Sequence, residues 1–240
     1  MTTFLVVTCA APFASFGEEA GNVERGTAAR PTRSALLGLA GAALGIERTD
    51  REGQAALGRS FRIATRTLRP GRLTQDFHTF QSLPGARGRP ATRRDALSHR
   101  GGLETSITRR SYLADVIFHV AYAEQPDASV IAADLAKAFR APRFVLSLGR
   151  RSCPLAAPLA PREIEAADVV AAFRIYAGET WKTGSGDIAV EDEADLPASD
   201  RPRRSHIRLD EPVDRNAWLF SARREWLVAA SGEERMAGDD

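Results

Sequence analysis

Lysine is nearly missing from this chain. Of 33 basic residues only Lys137 and Lys182 are lysines, so almost all positive charge is guanidinium, whether from coding bias or from selection for RNA contacts. Cysteine is scarce too. Cys9 and Cys153 lie far apart and show neither metal-ligand nor redox spacing, which excludes a disulfide scaffold and suits a reducing cytoplasm. No apolar run approaches the roughly 20 residues of a membrane-spanning helix, so no membrane is expected among the partners. The N-terminal MTTFLVVTC lacks a charged n-region and a full apolar h-region, and reads as a strand rather than a signal peptide. His78, His99, His119 and His206 share no spacing suggestive of a metal. Walker, Rossmann and nucleophile-elbow patterns are absent, so neither a cofactor nor a metal is expected. The RRM stacking signature is also missing. A net charge of +2 points to no particular partner.

What is present suits a folded protein of one or two domains. The chain has 240 residues, of which 43% are hydrophobic and 27% charged, enough for a real core. The organising stretch is PTRSALLGLAGAALGI, Pro31–Ile46, read as a helix whose first turn Thr32 or Ser34 can cap. Gly38, Gly41 and Gly45 fall on one helical face. Close approach of a sheet or a partner backbone would explain that flat face, the alternative being a buried helix ended by Gly45.

Thr3–Cys9 reads as the first strand and Ala10–Arg30 as a long loop. FRIATRTL (Phe61–Leu68) suits a half-buried strand with an arginine face, and DVIFHVAY (115–122) a further strand. A helix is expected from Pro126-Asp127, with Val130, Ile131, Leu135 and Phe139 as its stripe, and a short strand over Arg143–Leu148. This order gives an α+β fold, a ferredoxin-like or RRM-like βαββαβ domain over 1–150. A basic insertion, a thumb, occupies 66–110. It holds ten arginines against Asp76, Asp95 and Glu104, seven positive charges in excess, so the rest of the chain is about five negative. An arm ordered by nucleic acid is the preferred reading, a solvated loop the alternative. A small C-terminal β-rich subdomain is expected over 151–231. It includes a helix around Asp168–Ile175, an acidic loop over 184–200, and strands at His206–Leu209 and Glu225–Ala229. Residues 232–240 are read as a disordered tail.

Three arginine clusters carry phosphate-seeking chemistry. The first is Arg30 with Thr32, Arg33 and Ser34 at a helix start, where free N–H groups and the dipole favour an anion, or where plain capping suffices. The second is Thr108, Arg109, Arg110 and Tyr112, where the insertion rejoins the domain. The third is Gly149, Arg150, Arg151 and Ser152, which could instead pair with the acidic loop. Asp76, Phe77, His78 and Thr79 read as a binding segment with a stacked ring, and as a general base in the alternative. No catalytic residue is assigned.

Together PTRSALLGLAGAALGI, DFHT, ETSITRRSYLADVIF, LGRRSCPLAAPL and SARREW (221–226), in this order, make the chain resemble the Cas-five family of CRISPR-associated proteins in its type I-E Cascade form. The resemblance implies an RRM-like domain with an arginine-rich thumb. It implies a non-catalytic subunit that binds the 5′ handle of CRISPR RNA and caps the filament of backbone subunits. Such a subunit touches the large, PAM-reading subunit and meets target DNA through the assembled complex. Relatives in another subtype are metal-independent endoribonucleases with a Tyr, His and Lys set, the alternative function. Here Tyr112 and His119 are seven positions apart, an odd spacing that places them on opposite faces of a strand.

Overall fold

The computed structural model describes residues 1–17, 23–83, 90–98, 102–178, 186–198 and 204–228. In chain order the elements begin with strands Thr2–Ala14 (β1) and Glu24–Arg25 (β2), helices Arg33–Leu44 (α1) and Arg51–Ser60 (α2), and strands Phe61–Arg69 (β3) and Arg72–Ser82 (β4). Helix Arg93–Ser98 (α3), strand Glu104–Glu124 (β5), helix Ala132–Arg140 (α4), strand Arg162–Ala166 (β6) and helix Val169–Ala177 (α5) follow. Strands Ile188–Val190 (β7), Arg204–Asp214 (β8) and Leu219–Val228 (β9) complete them. The fold is mixed α/β, built on one large sheet ordered β6-β1-β5-β3-β7-β9-β8, with β2 and β4 also pairing to β5. Every pairing is antiparallel except β2 with β5.

The run Phe4-Leu5-Val6-Val7 is buried throughout, although alternate strand side chains point to opposite faces. Such a run needs cover on both sides. Leu5, Val7, Cys9, Phe118, Val120 and Tyr122 pack under α1 and α4 on one face. Phe4, Val6 and Ala121 pack with Phe173 of α5 on the other. The Tyr122 hydroxyl donates to the Leu36 carbonyl at 3.0 Å, tying α1 to the middle of the sheet.

Several expectations change. β1 runs five residues past Cys9, into what the sequence suggested was loop. Helix α2 was not anticipated, although Asp50 caps it through Gly53 N–H at 2.9 Å. α4 starts at Ala132, because Ala128 N–H first closes a turn on the Gln125 carbonyl. Arg143–Leu148 forms no strand. The Arg143 and Phe144 N–H groups bond instead to the Ala43 and Ala42 carbonyls at the end of α1, leaving only isolated bridges at Ser147–Pro154 and Ser15–Gly149. The arginine face of β3 is covered rather than half-open. Arg66 is 1% exposed, and Arg62 makes a two-pronged contact to Asp195 at 2.9 and 2.6 Å. The described part of the acidic loop, 186–198, contains the buried strand β7. Residues 232–240, Lys182, His99, Gly101 and the Pro84-Gly85 pair lie outside the described residues.

The inserted segment is a β-hairpin, not a loop. β4 pairs with β5 over Arg72↔Ala114 to Ser82↔Glu104, continuing the β3–β5 pairing that ends at Arg69↔Ile117. β3 and β4 are therefore one arm of a long ribbon broken by a kink. Pro70 has no N–H to donate, Gly71 takes φ +77, and Asp115 opposite takes φ +62 and pairs with Arg69 at 2.6 Å. A side chain at Gly71 would collide with the Ala114 carbonyl and Val116. The kink thus fixes where the hairpin leaves the body.

Candidate nucleic-acid interface

Helix α1 begins as its sequence suggested: Thr32 Oγ1 accepts from Ala35 N–H at 3.2 Å. Its N-terminal anion position is already taken from within the chain, since Arg33 N–H donates to Asp210 Oδ2 at 2.9 Å. The Arg33 side chain turns inward. It is 7% exposed and reaches Glu191 at 2.6 Å, the Gly58 carbonyl at 2.7 Å, the Phe61 carbonyl at 3.2 Å, and Glu211. Arg30 likewise pairs with Glu225 at 2.7 Å.

These contacts belong to a network that sequence reading missed, binding β8 and β9 to the start of α1. Arg223 holds Asp210 at 2.6 and 2.9 Å and Glu225 at 3.1 Å. Arg208 reaches Glu225 at 3.2 Å, and His206 Nε2 lies 3.1 Å from the same carboxylate. Four arginines, Arg30, Arg33, Arg208 and Arg223, thus meet four carboxylates, Glu191, Asp210, Glu211 and Glu225. Burial pulls the Glu225 carboxyl up, but Arg208, Arg30 and Arg223 outweigh it and hold it below the ordinary range. For Glu191 burial wins over Arg33 and Arg223, and its carboxyl is raised. No local motif marks these pairs, whose partners lie up to 195 positions apart.

The second and third clusters do meet. The Arg150 guanidinium lies over the Tyr112 ring at 5.3 Å, and Tyr112 also meets Phe13 edge to face at 6.2 Å. Gly149 takes φ +82 against the Ser15 carbonyl, where any side chain would collide. Ser15 N–H donates to the Leu148 carbonyl at 3.2 Å, and its hydroxyl to the Ser111 carbonyl at 2.9 Å. The turn that follows closes with Cys153 N–H on the Arg150 carbonyl at 2.9 Å, leaving Arg151 and Ser152 exposed. On the hairpin, Arg109 is exposed beside Glu24 at 3.3 Å, while Thr108 is buried. Arg110 lies on the same strand face as Tyr112, two positions away.

Asp76, Phe77, His78 and Thr79 lie on β4, paired with Arg110, Arg109, Thr108 and Ile107. His78 Nε2 is 2.6 Å from Asp76, and Phe77 is 57% exposed, cross-strand from Arg109. Asp76 and His78 thus share one hairpin face with Arg110, and Phe77 and Thr79 share the other with Arg109. Ser34 and Thr32 line a cavity of about 690 Å³ whose opposite wall includes Gly149 and Arg150. Parts of the first and third clusters therefore border one groove, and the second adjoins it through the Arg150–Tyr112 contact.

The odd spacing of Tyr112 and His119 does not carry across the Asp115 kink: Leu113 joins Val116, Phe118 and Val120 in one core cluster, so the alternation of faces is broken between them. His119 itself packs against α5. It is buried against Phe173, stacked at 6.3 Å, and Tyr176, edge-on at 5.0 Å. Burial, and then the Arg66 charge, hold its imidazole down at about 4, against about 6.5 in an unfolded chain. The folded protein binds this proton more weakly, so the stability it confers is complete above about pH 6.5 and is lost as pH falls toward 4. Unfolding free energy is expected to drop by about 3 kcal/mol across that window, and His119→Gln to flatten the slope. Denaturant titrations at pH 7 and pH 4.5 check this; an equal slope in the variant would assign the effect to other groups.

Three comparisons bear on this surface. The family described as CRISPR-associated protein (Cas_Cas5) matches residues 4–224. The CRISPR system Cascade subunit CasD of Escherichia coli (strain K12) is 35% identical over 243 residues, covering 97% of this chain and 98% of the relative. A chain of a CRISPR RNA-guided surveillance complex superposes with a TM-score of 0.66 at 26% identity, over 94% of this chain and 89% of that one. A crystal structure of a Cas protein shares the fold, with a TM-score of 0.59 at 22% identity over 95% and 94% of the two chains.

Proposed function

The chain belongs to the Cas5 family of CRISPR-associated proteins, and from that membership we propose that it is a non-catalytic subunit of a type I-E Cascade complex that grips the 5′ handle of CRISPR RNA. In this reading it caps the filament of backbone subunits, touches the large PAM-reading subunit, and meets target DNA only through the assembly. The observation that carries it is the junction of the hairpin base with the Gly149–Ser152 turn. There Arg150 lies over the Tyr112 ring, Arg110 shares its strand face, and Arg151 and Arg109 are exposed nearby, Arg109 beside the exposed Glu24. Guanidinium groups beside a half-buried aromatic suit a single strand, holding phosphates and stacking a base. Phe77, His78 and Thr79 continue that track outward. Arg30 and Arg33 act from behind it, holding α1, Thr32 and Ser34 in place.

The order β6-β1-β5-β3, with α1 and α4 in the connections, supports reading the body as a ferredoxin-like βαββαβ unit whose fourth strand is β6. The hairpin of 66–110 is its thumb, and β8–β9 a small C-terminal ribbon. The non-catalytic reading is supported by His119 being buried, away from any surface an RNA could reach.

Arg150→Ala with Arg151→Ala is expected to weaken binding of repeat-derived guide RNA while the protein still melts cooperatively. If the parent neutralises about four phosphates, the log–log salt slope is near −3, and losing two contacts roughly halves it. An unchanged slope would make these arginines structural. Metal-independent cutting of the RNA in the same assay would favour the endoribonuclease alternative.

A further inference from the structure

Helix α1 has no side chain at Gly38, and an arginine from near the far end of the chain fills the gap. The Arg215 guanidinium comes within 3.2 Å of where a Cβ at Gly38 would stand, and it donates to the Ser34 carbonyl. Gly38 thus admits a cation rather than a backbone, whereas Gly41 faces Gln54 and Leu57 and Gly45 ends the helix as its left-handed cap. No carboxylate among the described residues pairs with Arg215, unlike the four arginines of the nearby network. Burial, and then the neighbouring Arg48 charge, hold Arg215 below the ordinary guanidinium range.

Arg215 stands at one side of the 690 Å³ cavity and Arg150 at another, and no Asp or Glu is among its described lining residues. Trp218 and Phe220 supply an aromatic wall, packed edge to face at 5.7 Å. That wall is set in advance. Arg48 lies 4.4 Å over the Trp218 ring and donates to the Arg215 and Asn216 carbonyls at 2.7 and 3.2 Å. Asp214 Oδ1 accepts from Asn216 and Ala217 N–H at 2.8 and 3.0 Å, while Arg51 holds its other oxygen at 2.9 Å. The volume suits a small ligand. The chemistry calls for one that is anionic at one end and flat and apolar at the other.

We propose that this cavity holds one nucleotide of the bound RNA, its base against Trp218 and Phe220 and its phosphate between Arg215 and Arg150. The inference rests on the handle-binding reading above and adds to it Arg215, Trp218 and Phe220, which belong to none of the three arginine clusters found in the sequence.

The test uses the full chain and fluorescently labelled, repeat-derived single-stranded RNA. Trp218→Ala is expected to weaken binding about tenfold, as loss of one stacked base does. Arg215→Ala should weaken it and reduce the salt slope by about 0.7, the value of one phosphate. Trp218 is 64% exposed, so its replacement should leave the melting curve in place. Ultraviolet crosslinking of the unaltered protein gives a second readout, with RNA expected on the tryptic peptide Asn216–Arg223. If both variants bind like the parent, or the crosslink falls only near Tyr112, while Arg150→Ala with Arg151→Ala weakens binding, the cavity proposal is overturned and the handle reading stands. If that double variant is silent too, the handle reading itself fails. A Trp218→Ala protein that keeps its RNA affinity but loses a protein subunit would make the cavity a socket for protein, against the proposal.

Discussion

Arg33→Ala is expected to lower the unfolding free energy by about 3–5 kcal/mol, the cost of removing one member of a buried ion-pair network. The variant leaves Glu191 buried beside Ile63 N–H and Arg223 alone, strips Glu211 of its guanidinium, and frees the Gly58 and Phe61 carbonyls. Neutral Arg33→Met should cost nearly as much, because the charge and its hydrogen bonds are what the carboxylates lose. The salt slope of RNA binding should not change, since Arg33 already faces four protein groups and no solvent-filled surface. Urea denaturation beside RNA titration decides the matter. A variant with the parent's stability and a shallower slope would show that Arg33 contacts phosphate after all.

Trimming the tip of the hairpin is expected to do the opposite, sparing the fold and abolishing assembly. Ser82 and Glu104 are direct cross-strand partners, so residues 83–103 can be replaced by Asn-Gly, the two-residue turn that suits the twist of paired strands. Arg87, Arg89, Arg93, Arg94 and Arg100 leave with the deleted segment, and the side chains of its helix α3 are not buried. Melting should shift by no more than a few degrees, because little apolar surface is lost and shortening a loop changes closure entropy only slightly. Entry into a complex with backbone subunits and guide RNA should fall below detection in a pull-down. Normal assembly would make the tip dispensable; loss of cooperative melting would place it in the core.

The legible parts of this chain were those whose signals are local. The cap at Thr32, the apolar run of β1, the Asp168 start of α5 and the strand character around His206 and Glu225 all rest on neighbours within a few residues. The hairpin was hidden because β4 has few core-forming residues. It is a strand through pairing with β5 rather than through burial: its Thr and Phe residues suit a strand, but they lie exposed without the apolar–polar alternation that marks a half-buried one. α2 was masked by its polar composition, with only Leu57 and Ser60 buried. Of the three predicted clusters, two meet through Arg150 and Tyr112, whereas Arg30 and Arg33 of the first are engaged inward by Glu225, Glu191 and Asp210. Nothing short of the fold reveals such partners, because the sheet order alone brings β8 and β9 to the start of α1.

Strand β5 is flanked on both edges from Ile117 to Ala123, by β1 and β3, and again at Leu113 and Ala114, by β1 and β4; from Glu104 to Tyr112 it has β4 on one side and just two residues of β2 on the other. Its amides should therefore keep two clocks. Those from Ile117 to Ala123 can exchange with deuterium only when the whole molecule opens, whereas the outer amides need only the ribbon to peel beyond the Asp115 kink. Bound RNA or a neighbouring subunit on the arm would slow the outer clock by orders of magnitude and leave the inner one unmoved, so a single strand would report separately on assembly and on global stability.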